Sequence, residues 1–309
     1  MANKVFYHSG CPDGFLSSWI AKQAFDYNYV IKGEDGDNEY IPISYDDVEK
    51  YRNKILETCK DNNVYILDFS FPKDLIEQVA EISKKMVLLD HHKTAKANLQ
   101  ELIDSKRFSD KTNKNYIRFD MDHCGAYLTH QYFHEGQNYG RSILVPRIIE
   151  YVQDRDLWKW ELPESKEVNA AISSFEYDYE VWNDLMRIRI ADLVTQGTSI
   201  LRFQKQMVIR ALAHVHVIKV DDSNGNASTF DAINSSILQS DIAHAFLESQ
   251  EHSDIVAVYY ITKELSGNLV RVSLRSKLTD VSDIAKKFGG GGHKHAAGFS
   301  VKPTLVLGI

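Results

Sequence analysis

Short apolar runs alternate with longer stretches of helical period in the first half of the chain. Val5-Phe6-Tyr7 is an apolar run near the start, Gly10 to Gly14 reads as a turn, and Phe15 to Phe25 has helical character. Val64-Tyr65-Ile66-Leu67 is a second run and ends at Asp68; Met86-Val87-Leu88-Leu89 is a third and ends at Asp90-His91-His92. Lys73 to Lys84, between them, is a helix candidate. Apolar strands alternating with helices predict an α/β fold with a parallel, doubly wound sheet. Ala126 to His134 and Ser142 to Gln153 read as helices. Tyr179 to Val217 reads as two more, poor in turn residues and suited to a helical connection.

The pattern then shifts. Asp221-Asp222-Ser223-Asn224-Gly225-Asn226 signals a loop or hairpin. Ile255 to Tyr260 and Leu269 to Leu274 follow as strands, Ser282 to Phe288 as a short helix, and then Gly289-Gly290-Gly291-Gly292-His293. The expected organisation is two α/β domains. Residues 1–180 hold the doubly wound sheet, 181–216 form a helical linker, and 217–309 form a smaller second domain.

Composition narrows the classes. The 309 residues suffice for two domains with a sizeable core. A net charge of -7 excludes a uniformly basic surface, although a local basic cleft stays compatible with it. No apolar run approaches the ~18 residues of a membrane span, and the early strand leaves no room for a signal peptide. Three widely spaced cysteines, Cys11, Cys59 and Cys124, argue against a disulfide framework and for a reducing, cytoplasmic setting.

The chemistry gathers at strand ends, where ligands of open α/β sheets bind. The first run leads to His8, with Asp13 in the turn; the second ends at Asp68, the third at Asp90-His91-His92, and Asp154 closes a helical stretch. Mixed imidazole and carboxylate donors suit a borderline divalent ion, and the two oxygens of Asp68 could bridge a pair of ions. Singly, an aspartate after a strand is more often a turn or capping residue, and a His-His pair in a loop is usually solvated. The joint occurrence at three strand ends raises the metal reading above these. The glycine run reads either as a flexible linker or as a loop whose backbone N–H groups approach an anion. Its ordered flanks favour the second, with His293 or Lys294 adding charge and Arg275 as a bidentate phosphate partner.

These residues resemble the DHH phosphoesterase family. Asp90-His91-His92 matches its namesake motif, Asp68 its second, and Asp154 in Gln153-Asp154-Arg155-Asp156 its fourth. Gly289 to His293 matches the Gly-Gly-Gly-His motif of the DHH-associated C-terminal domain, to which residues from about 217 are similar. The resemblance spans nearly the whole chain. It implies a Mn2+- or Mg2+-dependent hydrolase with two ions per site. Asp13, Asp68, His91 and Asp154 would hold one ion, and His8 and Asp68, with Cys11, the other. His92 and Asp90 would act in catalysis, and Arg275, Gly290, Gly291, Gly292 and His293 would bind substrate.

Family pyrophosphatases carry a different C-terminal domain and processive exonucleases carry extra ones. The implied substrate is therefore a short oligonucleotide or a linear or cyclic dinucleotide, with no membrane partner; a homodimer is compatible. The alternatives are an exopolyphosphatase-type hydrolase and a non-catalytic nucleotide-binding protein. One departure stands out. The first motif commonly has two aspartates two residues apart, and here it reads His8-Ser9-Gly10-Cys11-Pro12-Asp13-Gly14-Phe15. Either Cys11 or Phe15 occupies the place of the missing carboxylate; the helix opened by Asp13-Gly14 favours Cys11.

Overall fold

A computed structural model describes residues 2–32, 37–45, 47–134, 145–221, 225–249, 253–264 and 267–303. The chain falls into two compact units, Met1–Ile200 and Leu201–Ile309, divided within the long helix Ile190–Leu212.

Five strands build the sheet of the first unit among the described residues: β1 (Asn3–His8), β2 (Glu39–Ile43), β3 (Asn63–Leu67), β4 (Lys85–Asp90) and β5 (Asn115–Phe119). Their order is β2-β1-β3-β4-β5 and every pairing is parallel. This is a doubly wound order whose direction reverses between β1 and β3, the point at which such sheets bind ligands. Side chains alternate across the sheet. Val5, Tyr7, Tyr65, Leu67, Val87 and Leu89 join one core, and Phe6, Val64, Ile66, Met86 and Leu88 the other. Both faces are covered, so the central strands read as unbroken apolar runs.

Helix Pro12–Lys32 lays Phe15, Leu16, Ile20 and Ala21 on the first face. Helix Lys73–Ile82 lays Leu75, Ile76, Val79 and Ala80, a single stripe at helical spacing, on the second. Each fully buried side chain of Leu, Ile or Phe size contributes roughly 1.5–3 kcal/mol. Two expected boundaries move. The first helix begins at Pro12 rather than after a turn ending at Gly14, because Pro12 suits the first helical position. The helix expected over Ser142–Gln153 runs from Arg147 to Asp156, and Ser142–Leu144 lie outside the described residues.

The second unit carries a mixed sheet of β6 (His216–Asp221), β7 (Ala227–Asn234), β8 (Ile255–Glu264), β9 (Gly267–Ser276), β10 (Gly291–His293) and β11 (Ala296–Val301). The order is β10-β11-β9-β8-β7-β6. Only the β7–β8 pairing is parallel among those described, and helix Gln239–Ser249 makes that crossover. Val256 and Val258 pack with Ile242, Ala243, Phe246 and Leu247 of this helix, while Ala257 and Tyr259 face Val281 and Ala285 of helix Val281–Lys287. Asp222–Asn224 of the expected loop fall outside the described residues. No helix among the described residues is long and apolar enough to cross a membrane, and Cys11, Cys59 and Cys124 are free thiols.

Candidate metal centre

The site begins at the reversal point of the first sheet. β1 delivers His8 at its last position. The next residues form the helix entry: Cys11 stands before Pro12, Phe15 N–H returns to Cys11 O at 3.2 Å, and Gly14 N–H donates to Cys11 Sγ at 3.3 Å. Gly14 is required by packing, since a Cβ there would lie 2.1 Å from His8 O.

Asp13, one turn position on, is buried. Its carboxylate accepts from Gly125 N–H at 2.7 Å and Ala126 N–H at 2.9 Å, the start of helix Gly125–His134. The positive end of that helix thus anchors it.

Asp68 follows β3 in a left-handed conformation, φ 54°, which aspartate tolerates better than most residues. Its N–H continues the ladder to Leu89 O at 2.9 Å. Its two oxygens face two different groups. Oδ2 lies 3.5 Å from Cys11 Sγ and 3.6 Å from His8 Nδ1; Oδ1 lies 3.1 Å from His91 Nε2. β4 ends on Asp90, which is fully buried and accepts from His91 N–H (2.7 Å), His92 N–H (3.1 Å) and Ser70 Oγ–H (2.5 Å). Asp90 also holds His92 Nδ1 at 2.7 Å, so it orients both histidines without entering the cluster itself.

The fourth expected ligand needs correction. Asp154 is buried, but its carboxylate accepts from Glu161 N–H (2.9 Å) and Leu162 N–H (3.3 Å), holding the turn after helix Arg147–Asp156. Asp156 is the residue that reaches the centre, with Oδ2 3.3 Å from His91 Nε2. Two positions on a helix are about 200° apart, so only one of the pair can face a given site. Cys11 and Phe15 are likewise told apart. Cys11 lies beside His8 and Asp68, whereas Phe15 is buried among Tyr7, Tyr177, Tyr179 and Trp182.

Among the described residues, three sets of donor atoms have the spacing of metal ligands: His8, Cys11 and Asp68; Asp68, His91 and His92; and Asp13, His91 and Asp156. His91 Nε2 has carboxylate oxygens of Asp68, Asp156 and Asp13 at 3.1, 3.3 and 3.7 Å. This crowding of negative charge is expensive. Burial and the charges of Asp68 and Asp156 push Asp13 well above the ordinary carboxylate range, and burial also raises Asp156. Asp68, despite its burial, is held well below that range by hydrogen bonds from His8 and His91. Burial disfavours a charged His91, yet the three carboxylates carry its pKa up to about 10. Burial and the same carboxylates push the Cys11 thiol well up. The donor set fits a divalent ion, which would let every carboxylate ionise at once.

One aromatic at the rim escaped the sequence reading. Tyr45, two residues beyond β2, is 48% exposed, and its ring lies tilted against Phe69 (4.6 Å) beside His8 (5.7 Å) and His92 (6.2 Å).

In the second unit the glycines are ordered. Gly289, φ 77°, closes helix Val281–Lys287: Gly289 N–H bonds Lys286 O (3.0 Å) and Gly290 N–H bonds Ala285 O (2.9 Å), the pattern of a Schellman cap. Gly291, Gly292 and His293 then form β10 against β11. Arg275 pairs in register with Ala296 of β11. Its guanidinium donates to Leu274 O (2.9 Å) and Ser240 Oγ (2.8 Å), with no carboxylate partner among the described residues, and burial lowers its pKa.

Residues 227–306 match the DHHA1 domain. The chain is 26% identical to an uncharacterized protein of Acanthamoeba polyphaga mimivirus, over 96% of this chain and 66% of that protein. It is 24% identical to oligoribonuclease NrnB of Bacillus subtilis (strain 168), over 94% of this chain and 70% of that protein. It therefore spans about two thirds of the length of these relatives. A crystal structure of an exopolyphosphatase-related protein from Bacteroides fragilis shares the fold, with TM-score 0.50 and 15% identity over 98% of this chain and 87% of the other. A parallel sheet with a carboxylate–imidazole cluster at its reversal point, followed in sequence by a DHHA1 domain, defines a two-unit α/β scaffold. The DHHA1 match over residues 227–306 and the similarity to an oligoribonuclease over 94% of this chain support the resemblance to DHH-family phosphoesterases.

Proposed function

We propose that the protein is a divalent-metal-dependent phosphodiesterase of short oligonucleotides. The observation that carries this is the cluster of three carboxylates around His91, with Asp13 and Asp68 buried and Asp156 at its exposed edge. The likeness to an oligoribonuclease over nearly the whole chain supports the substrate class. Asp13, His91 and Asp156 would hold one ion and His8 the other, with Asp68 shared between them. Bound ions would supply Lewis acidity and a water of lowered pKa. Asp90 fixes the His92 ring through Nδ1, which would present Nε2 to a phosphate oxygen or the leaving group. Tyr45 offers a half-exposed face on which a base would stack. Arg275 would bind an anionic group, with the glycine strand and His293 beside it.

The test is hydrolysis by chelator-treated protein of a 5′-phosphorylated dinucleotide, a cyclic dinucleotide and short polyphosphate, with and without Mn2+. Mononucleotide release from the linear dinucleotide only with the ion is expected, together with its loss in a folded Asp68→Asn variant. Phosphate release from polyphosphate alone would assign a phosphoanhydride hydrolase instead. Ion binding with no turnover of any of the three would leave a nucleotide-binding protein.

A further inference from the structure

We propose that Cys11 is itself a metal ligand. With His8 and Asp68 it would form a sulfur–nitrogen–oxygen position that selects a borderline ion such as Zn2+ or Co2+ over Mg2+. The inference rests on the metal-dependent reading above and specifies one of its two ion positions.

The three donor atoms form a nearly equilateral triangle. Cys11 Sγ is 3.5 Å from His8 Nδ1 and 3.5 Å from Asp68 Oδ2, and His8 Nδ1 is 3.6 Å from Asp68 Oδ2. Bond lengths of a tetrahedral zinc site give edges of about 3.6 Å for S–N and S–O and about 3.4 Å for N–O. An octahedral Mg2+ shell, with bonds near 2.0–2.1 Å, needs neighbouring oxygens about 2.9 Å apart. The triangle matches the first shape. Cys11 stands before Pro12 at the start of the helix Pro12–Lys32, and the Gly14 N–H bonded to its sulfur at 3.3 Å fixes Sγ beside His8 and Asp68.

The companion set, Asp13, His91 and Asp156, has no sulfur. The two positions therefore differ in softness, with Asp68 common to both. On binding, the Cys11 thiol proton passes to solvent as the sulfur–metal bond forms, and no electron is transferred. The competing reading is a neutral thiol that only donates to Asp68.

Co2+ distinguishes them, because a thiolate ligand adds a near-ultraviolet charge-transfer absorption that oxygen and nitrogen ligands do not. The wild-type protein titrated with Co2+ should show this band. Cys11→Ser and Cys11→Asp, checked for fold by circular dichroism, should lose it. Cys124→Ser should retain it; Cys124 is the other thiol near the centre, whereas Cys59 lies in the core of the opposite sheet face. In Cys11→Asp the preference for Zn2+ over Mg2+ should fall by about tenfold or more. Visible ligand-field bands of bound Co2+ with no charge-transfer band in wild type would overturn the assignment and leave the metal centre standing. A band that survives Cys11→Ser but vanishes in Cys124→Ser would overturn it too. Folded wild-type protein that binds neither Co2+ nor Mn2+ by calorimetry would remove the metal-dependent reading, and this inference with it.

Discussion

Asp154 and Asp156 divide two duties that look interchangeable in a list of residues. Asp154 satisfies two backbone N–H groups with its carboxylate and receives Lys159 N–H on its carbonyl at 2.8 Å. Asp156 ends the helix with its carboxylate against His91. Replacing each by Asn should therefore separate structure from chemistry. Asp154→Asn loses one charged acceptor from a buried turn and should destabilise by about 1–3 kcal/mol, with metal stoichiometry retained. Asp156→Asn removes like charge from a crowded site, so stability without metal should hold or rise, while metal affinity and turnover fall at least about 10–100-fold. Denaturant midpoints and isothermal titration of the two variants check this; metal loss in Asp154→Asn with Asp156→Asn unaffected would reverse the assignment. The error in the sequence reading has a physical origin. Gln153-Asp154-Arg155-Asp156 places two carboxylates on opposite sides of one helix, and the phase of that helix is set by packing of Ile149 and Val152, not by the local residues. The structure brings His8, Asp68, His91 and His92 together because strand ends fix their positions without any knowledge of helix phase, and Asp13 joins them from the first turn of the helix after β1. Tyr45 was not legible in the sequence, because the strand that delivers it was itself invisible.

Visibility of an element follows how much of it is buried. β1, β3 and β4 are central and covered on both faces, so they stand out as apolar runs. β2 and β5 are sheet edges. β2 carries Pro42, tolerated at an edge where a ladder donor is dispensable, and β5 carries Arg118, bonded to Gln131 at 2.7 Å. The same logic hides β7, Ala227–Asn234, where polar and apolar residues alternate. The Cys-Pro-Asp-Gly entry to the first helix is the opposite case, a local sequence that fixes local structure. Gly14→Ala tests it. Alanine in a helix interior ordinarily gains about 0.5–1 kcal/mol over glycine. Here the new Cβ would sit 2.1 Å from His8 O and 2.9 Å from His8 Cβ. Backbone cannot yield as a side chain does, so the clash should win, with a net loss of about 1–3 kcal/mol and displacement of His8 and Cys11 from the ion position. A Gly14→Ala protein as stable and active as wild type would show that the strand–helix junction is looser than this. Gly291→Ala supplies the contrast, since an added Cβ meets nothing within 4 Å. Stability should stay within about 0.5 kcal/mol, and a raised KM would place the glycine strand in contact with substrate.

At the scale of the molecule, charge and burial set a pH window for stability. The chain carries a net charge of -7, yet its response to mild acid should be governed by a buried neutral histidine. His130 is 6% exposed and stacks on His134 with ring centroids 4.4 Å apart. Burial, and then the neighbouring His134, lower its pKa from 6.5 to about 4. The folded value lies below the unfolded one, so between about pH 6.5 and 4 the unfolded chain binds a proton that the folded chain refuses. Stability is then complete above 6.5 and falls as pH drops through that interval, by up to about 3 kcal/mol at 1.36 kcal/mol per unit. His91 acts in the other direction in metal-free protein. Its folded pKa, up to about 10, lies above 6.5, so its contribution is full below 6.5 and is lost as pH rises toward 10. The metal-free protein should accordingly be most stable near neutrality. Urea unfolding of chelator-treated wild type and His130→Gln between about pH 7 and 4.5 separates the acid limb, because the variant cannot titrate there. A smaller loss of stability in His130→Gln than in wild type is the expected outcome, and identical slopes would assign the acid limb to other groups. Saturating divalent ion should flatten the alkaline limb alone, since an ion-bound His91 is neutral at every pH in the range, and His130 belongs to none of the donor sets.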